Sequence, residues 1–172
     1  EVLYACFRPE PIKKNEFFAK EGAVADKVGF LKDGIVRAFF LNKAGKEYNK
    51  QFFVGPAIIG AYTSLLTRQP NKIAQQAMTD CEIWVARFQD IEALYDRHHQ
   101  LERMGRKLAE FYFMEKEQKE IEMALLDAEK RYFILRETFP QIELKVSQYH
   151  IASYLGITPT QLSRIRKKIS EN

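Results

Sequence analysis

Cysteine is nearly absent. Cys6 and Cys81 are the only two among 172 residues, and no Cys-x-x-Cys or Cys/His cluster occurs. Structural zinc and iron–sulfur sites need several such ligands at close spacing, so both are excluded, and the two thiols are expected to be inert in a reducing cytoplasm. Histidine is equally sparse. His98, His99 and His150 all lie outside the strand-like part of the chain, so the converging histidines of a metal-holding β-barrel enzyme are missing. No nucleophile motif or acid–base pair stands out, and the chain does not read as an enzyme. No run of ~18 apolar residues is present to cross a membrane, and no apolar signal segment opens the residues given. A cytoplasmic protein is expected.

What is present is unevenly placed. The net charge is +4. From Lys145 onward there are five basic residues (Lys145, Arg164, Arg166, Lys167, Lys168) against one acidic, Glu171. The last 28 residues thus carry the whole positive excess of the chain. A polyanionic partner at that end is the direct reading, and a merely solvated basic tail is the plain alternative.

Six of the eight glycines fall before residue 61, where they separate short runs of β-branched and aromatic residues. "KVGFLKDGIVRAFFLNKAGKEYNKQFFVG" alternates strand and turn, with Asp33-Gly34 and Asn42–Gly45 supplying the turn chemistry. "AQQAMTDCEIWVARF" gives two more strands broken at Thr79-Asp80, with Ile83, Val85 and Arg87 on one face and Trp84 and Ala86 on the other. Many short strands at regular spacing predict an antiparallel β-roll or jelly-roll over residues 1–97.

The period then changes. Ile91, Leu94 and Tyr95 suggest a short helix. A long one follows from about Gln100 to about Leu126, with Leu101, Met104, Leu108, Phe111, Met114, Ile121 and Leu125 forming one apolar stripe. The stripe packs either on its own domain or on a partner's copy. Pairing is favoured, because at ~1.5 Å per residue the helix spans roughly 40 Å, more than a small barrel needs. Residues 98–126 are therefore read as a dimerisation helix. Asp127 can cap the next helix, which Pro140 ends.

The remaining segment, 127–172, contains "SQYHIASYLGITPTQLSRIRKK", residues 147–168. Ser147 is placed to cap a first helix, Gln148–Leu155, whose Ile151 and Leu155 face inward. Ala152 is small enough for a second helix to cross closely, and Gly156 stands where the chain must reverse. Thr158 can cap the second helix and Pro159 suits its first turn, with Leu162, Ile165 and Ile169 as anchors. This is helix-turn-helix spacing. The outer face of the second helix carries Thr160, Gln161, Ser163, Arg164, Lys167 and Lys168, donors of the length that groove edges and phosphates require.

With these residues in place, the chain resembles the Crp–Fnr family of bacterial transcription regulators over nearly its whole length. "EFFAKEGAVADKVGFLKDGIVRAFFLNKAGKEYNKQFF" is similar to that family's cyclic-nucleotide-binding-like β-roll, "YDRHHQLERMGRKLAEFYF" to its dimer helix, and the quoted C-terminal stretch to its winged helix-turn-helix. The resemblance implies an α+β fold and a homodimer. Its partners would be double-stranded DNA, a second copy of the chain and RNA polymerase. It places Pro159, Thr160, Ser163 and Arg164 at base edges, with Arg164 as the bidentate guanine reader. Ser147, Gln148, Tyr149, Thr158 and Gln161 would lie at phosphates, with simple capping or solvation as the alternative for each. Pro159 departs from the pattern, since it has no long donor. The strand hairpin that follows the second helix in the family has no counterpart in the few residues left.

The resemblance also locates an effector pocket, at Gly60, Ala61, Tyr62 and Thr63 and at Lys72 and Ile73. Members that bind cyclic nucleotide have Gly-Glu at the first position, for the ribose, and Arg with Ser or Thr at the second, for the cyclic phosphate. Gly60-Ala61 and Lys72-Ile73 lack the acceptor, the guanidinium fork and the hydroxyl, and the long helix between Leu101 and Leu125 has no Ser or Thr. Tight cyclic AMP binding is not expected, and no cofactor is assigned. A roll whose helix-turn-helix contacts protein and not DNA is the competing functional reading.

Overall fold

The computed structural model describes residues 1–171. After a 3-10 turn at Tyr4–Cys6 come eight strands: β1 (Arg8–Pro9), β2 (Phe17–Ala19), β3 (Lys27–Asp33), β4 (Ile35–Leu41), β5 (Glu47–Val54), β6 (Ala57–Ile59), β7 (Ala74–Ala77) and β8 (Glu82–Arg87). They form two four-stranded antiparallel sheets, ordered β1-β8-β3-β6 and β2-β7-β4-β5. The expected turns join them. Gly34 has φ +106° between β3 and β4, and a Cβ there would lie 2.7 Å from Cys81 Sγ, so only glycine fits. Between β4 and β5, Asn42 Oδ1 accepts from the amides of Ala44 and Lys46, the side-chain turn that the sequence suggests.

Seven α-helices accompany the strands: α1 (Tyr62–Thr67), α2 (Phe88–Glu92), α3 (His99–Leu125), α4 (Ala128–Thr138), α5 (Ile142–Lys145), α6 (Gln148–Leu155) and α7 (Pro159–Ser170). The architecture is the expected α+β one: strands first, a long helix, then a helical C-terminal part. The short helix after β8 starts at Phe88 and stops at Glu92, so Leu94 and Tyr95 fall in the turn beyond it and are half-buried. The single-turn helices α1 and α5 carry too few residues to show a period in sequence.

Two cores hold the molecule. Leu31, Val36, Ile59, Ala77, Cys81, Ile83 and Val85 fill the space between the sheets. Cys81 is buried there, and burial raises its thiol pKa, which keeps it unreactive. The second core joins strands to helices. Ile35 and Phe52, with Met78 just beyond β7, pack with Tyr132, Leu135, Ile142, Val146, Ile151, Ala152, Leu155 and Leu162. The outer face of the β4–β5 sheet is therefore the seat of the C-terminal helices, and α6 lies directly on β5.

Helix α3 is held on one side only. Tyr112 hydroxyl donates to the Ile58 carbonyl at 2.9 Å and accepts from the Ile58 amide at 3.3 Å, pinning the helix to β6. Lys119 Nζ sits 3.2 Å from the centre of the Tyr154 ring of α6 and donates to the Lys50 carbonyl of β5. Burial brings its ammonium down to about 7. None of the 27 residues of α3 is fully buried, and no helix among the described residues is long and apolar enough to cross a membrane.

Candidate nucleic-acid interface

The α6–α7 pair assembles as its sequence suggests, with one exception. Gly156 has φ +70° and ends α6, and the Ile157 amide bonds back to the Ala152 carbonyl. Ala152 is fully buried where α6 and α7 cross. Thr158 caps α7 in a reciprocal box: its hydroxyl accepts from the Gln161 amide at 3.2 Å, and Gln161 Oε1 accepts from the Thr158 amide at 2.9 Å. Pro159 follows at the first helical position. Ser147 occupies the cap position of α6, but its side chain makes no cap hydrogen bond; only its carbonyl accepts, from His150 and Ile151. Asp127 caps α4 as expected, its side chain accepting from the Lys130 amide, and that interaction lowers its carboxyl pKa. Thr158→Ala is expected to cost about 1 kcal/mol through the lost α7 cap, read as a lower denaturation midpoint with unchanged far-ultraviolet circular dichroism at rest.

Leu162 is fully buried, and Ile165 and Ile169 pack beside it. The opposite face of α7 exposes Thr160, Gln161, Ser163, Arg164, Lys167 and Lys168 together. Ser147, Gln148 and Tyr149 are exposed at the start of α6, the helix that crosses α7. Arg164 makes no ion pair or side-chain hydrogen bond among the described residues. Lys168 is bound to Glu129 of α4 at 2.7 Å, and Lys167 to Glu171 at 3.7 Å. Such exposed pairs are weakly held and exchange readily for another anion. Gln161 differs from its neighbours, because its carbonyl oxygen is committed to the Thr158 cap.

The pocket residues are more scattered. Ala61 is buried ahead of α1, Tyr62 is exposed with its ring edge-on to Phe88, and Thr63 is exposed. Lys72 is exposed and Ile73 half-buried, and no hydrogen bond or ion pair among the described residues joins Lys72 to the Gly60–Thr63 segment. The link between the two regions is Gln75, whose Nε2 donates to the Gly60 carbonyl at 3.0 Å. No arginine or carboxylate stands at the matching positions, so the fork that grips a cyclic phosphate is absent from them.

A polar cluster that the sequence does not announce lies under α6. Arg37 of β4 is 4 % exposed. It gives a bidentate pair to Glu47, at 2.6 and 3.1 Å, two bonds to Gln76 Oε1 of β7 and one to Asn49 Oδ1 of β5. Its Nη1 also meets His150 Nδ1 of α6 at 3.0 Å. These bonds from Arg37 hold the Glu47 carboxyl below the usual range. The available signal was an arginine inside the apolar run "IVRAFF"; its partner 113 positions away was not legible.

Comparison with known proteins agrees with this layout. The cyclic nucleotide-binding domain family matches residues 9–98. The transcriptional activator protein Anr of Pseudomonas protegens is 23% identical over 96% of this chain and 71% of its own length. The structure of FixK2 from Bradyrhizobium japonicum superposes with a TM-score of 0.83 at 19% identity, covering 96% of this chain and 85% of that one. The c-di-GMP responsive regulator CLP of Xanthomonas campestris gives 0.75 at 16% identity, covering 99% and 89%. At these identities the structural likenesses establish the fold. The chain thus belongs to the cyclic nucleotide-binding domain family through its strand-rich half, and over nearly its whole length it is similar to Anr in sequence and to FixK2 and CLP in fold.

Proposed function

We propose that this protein is a homodimer that binds double-stranded DNA in a sequence-specific way through α7. The carrying observation is the face Thr160–Arg164–Lys168, exposed in one stripe on a helix whose other side is locked by Leu162. In this reading residues 1–97 are a sensor roll, 98–126 the dimer helix and 127–172 the DNA-binding part, with Asp127 at the joint. Arg164 has the free guanidinium and the length to pair bidentately with a guanine. Thr160 and Ser163 flank it at base edges, with Pro159 filling space. Ser147, Gln148, Tyr149, Lys167 and Lys168 meet phosphates, and Thr158 and Gln161 do so through the helix start they cap. Paired α3 helices place two copies of α7 for half-sites about one DNA turn, ~34 Å, apart. RNA polymerase is the further partner of a regulator so bound. An effector at the roll, near Gly60 and Lys72, would act on that spacing, and its chemistry is other than cyclic AMP.

The test is selection from a random duplex pool at two salt concentrations, followed by binding to the enriched site. Affinity should fall roughly 10³–10⁵-fold between 50 and 200 mM salt if some 6–10 phosphates are contacted. Arg164→Ala should weaken the selected site by about 1–3 kcal/mol and relax preference at one base pair of each half-site. A pool that stays unenriched at low salt overturns the reading and favours a protein-contacting module.

A further inference from the structure

Helix α6 belongs to the reading head, yet it is bolted to the roll. Ser153 hydroxyl donates to the Glu47 carbonyl at 2.9 Å and accepts from the Asn49 amide at 3.0 Å, so it substitutes for a strand partner at the bulge of β5. One turn earlier, His150 Nδ1 lies 3.0 Å from Arg37 Nη1 and its carbonyl accepts from Asn49 Nδ2 at 3.3 Å. A guanidinium has no acceptor and does not deprotonate. The five guanidinium N–H groups already reach Glu47, Gln76 and Asn49, so Nδ1 shares at most an Nη1 hydrogen. With Nη1 at 3.0 Å and the Asn49 amide nitrogen at 3.4 Å, it is the Nδ1 lone pair that fits this side, with the imidazole neutral and its proton on Nε2. A proton added to Nδ1 would point N–H at N–H across 3.0 Å and place two cations in contact.

We propose that His150 is a proton-gated latch: neutral, it docks the helix-turn-helix on the β4–β5 sheet, and protonated, it releases it. The groups around it fit this role. Glu47 Oε2 is 3.6 Å from Nδ1, beyond hydrogen-bond reach, while the Arg37 guanidinium stands at 3.0 Å, so the carboxylate attracts an imidazolium less than the nearer cation repels it. Gln76 from β7 and Asn49 from β5 are neutral and bonded to Arg37. On α6 itself the Tyr149 ring lies edge-on, 5.3 Å away. From α3, Lys119 lies over the ring of Tyr154, the residue after Ser153. Burial and then Arg37 lower the imidazole pKa from its ordinary 6.5, against a smaller opposing pull from Glu47. The sign follows. A docked imidazole with a depressed pKa binds protons less well than a free one, so docking is at full strength above pH 6.5 and weakens as pH falls below it. At neutral pH the latch holds α7 in one place relative to α3; acid frees it.

The reporter is the Asn49 amide, whose hydrogen bond to Ser153 exists only while α6 is docked. Its exchange protection, corrected for intrinsic rate, is measured by NMR on the full chain between pH 7.5 and 5.5. It should drop up to about tenfold per pH unit once His150 titrates, while the amides of β3 and β8, which do not contact α6, keep theirs. His150→Asn supplies a non-titrating acceptor to Arg37 and should abolish the step while preserving protection at pH 7.5. A flat wild-type profile overturns the proposal. So does a step that survives in His150→Asn, which would assign it to Lys119. A loss of protection in β3 and β8 alongside Asn49 would mean global unfolding, and would also overturn it. The experiment contains no DNA, so it stands apart from the DNA-binding reading.

Discussion

Replacing both Met114 and Ile121 with glutamate should leave the protein a monomer of 20.2 kDa in sedimentation velocity, where the parent chain, as the proposed dimer, is expected to sediment as twice that mass. The argument rests on what α3 leaves uncovered. One flank, at Gly105, Leu108, Tyr112 and Lys119, is half-buried against the rest of the chain. The other exposes Met104 at 46%, Phe111 at 49%, Met114 at 59%, Ile121 at 47% and Leu125 at 78%. From Phe111 these recur by alternating steps of three and four if Gln118 is counted between Met114 and Ile121. That is the seam of a two-stranded coiled coil. An exposed apolar strip of this length is what a partner site presents, and in the proposed dimer self-pairing across a two-fold axis matches it with itself. Burying one such side chain contributes about 1.5–3 kcal/mol, so four across a symmetric pair supply roughly 6–12 kcal/mol. Even half the lower figure, about 3 kcal/mol, is two orders of magnitude in dimer dissociation. The glutamates add like charges facing each other. Circular dichroism should be unchanged, because both side chains lie on the exposed flank of α3. A variant that stays dimeric would place the interface elsewhere. Loss of DNA affinity in the monomer would follow, since one α7 reaches only one half-site.

How much of this was legible in the residues depends on the range of the forces involved. The hairpins of β3, β4 and β5 are written in turn chemistry, at Gly34 and Asn42, that acts over four residues. The same holds for the α7 start, where Thr158, Pro159 and Gln161 build a box within one turn, and for Asp127. Ser147 marks the limit. The cap position is right, but whether the hydroxyl bonds depends on a rotamer that sequence does not encode. Helix α1 and strands β1 and β2 are too short to show a period. The stripe of α3 was legible as apolar, though Leu101 and Leu108 turn out half-covered while Met104, Phe111, Met114, Ile121 and Leu125 are open. What local pattern could not carry is the docking of α6 on β5. Arg37 and His150 are separated by 113 positions, and each reads locally as an anomaly, a cation in an apolar strand and a histidine on a short helix. Only the tertiary placement makes each the reason for the other.

The same junction sets the largest stability effect. Phe52 is 1 % exposed at the seam between the sheets and the C-terminal helices. Its ring stacks on Tyr154 of α6 at 5.0 Å and meets Phe139, at the end of α4, edge-on at 6.3 Å. Phe139 and Tyr154 close the triangle at 6.3 Å. Lys119 caps the far side of the Tyr154 ring, so the cluster has no slack from α3 either. Phe52→Ala removes the common member of a three-way contact, and neighbours held by separate backbones collapse poorly into the hole. A loss of about 3–5 kcal/mol is expected, the upper range for an aromatic truncation. That is a large share of the roughly 5–15 kcal/mol available to a domain. Val54→Ala, two residues along the same strand but exposed, serves as the comparison and should shift the urea midpoint little. If the roll and the helical part are one cooperative unit, Phe52→Ala lowers a single transition. If α6 is instead the weaker partner, as a latch requires, the curve splits. Asn49 and the α6 amides then lose protection first, and the inter-sheet core around Leu31 and Ile83 melts later at its parent midpoint. A deficit below about 1 kcal/mol would mean that α6 does not rest on Phe52 in solution.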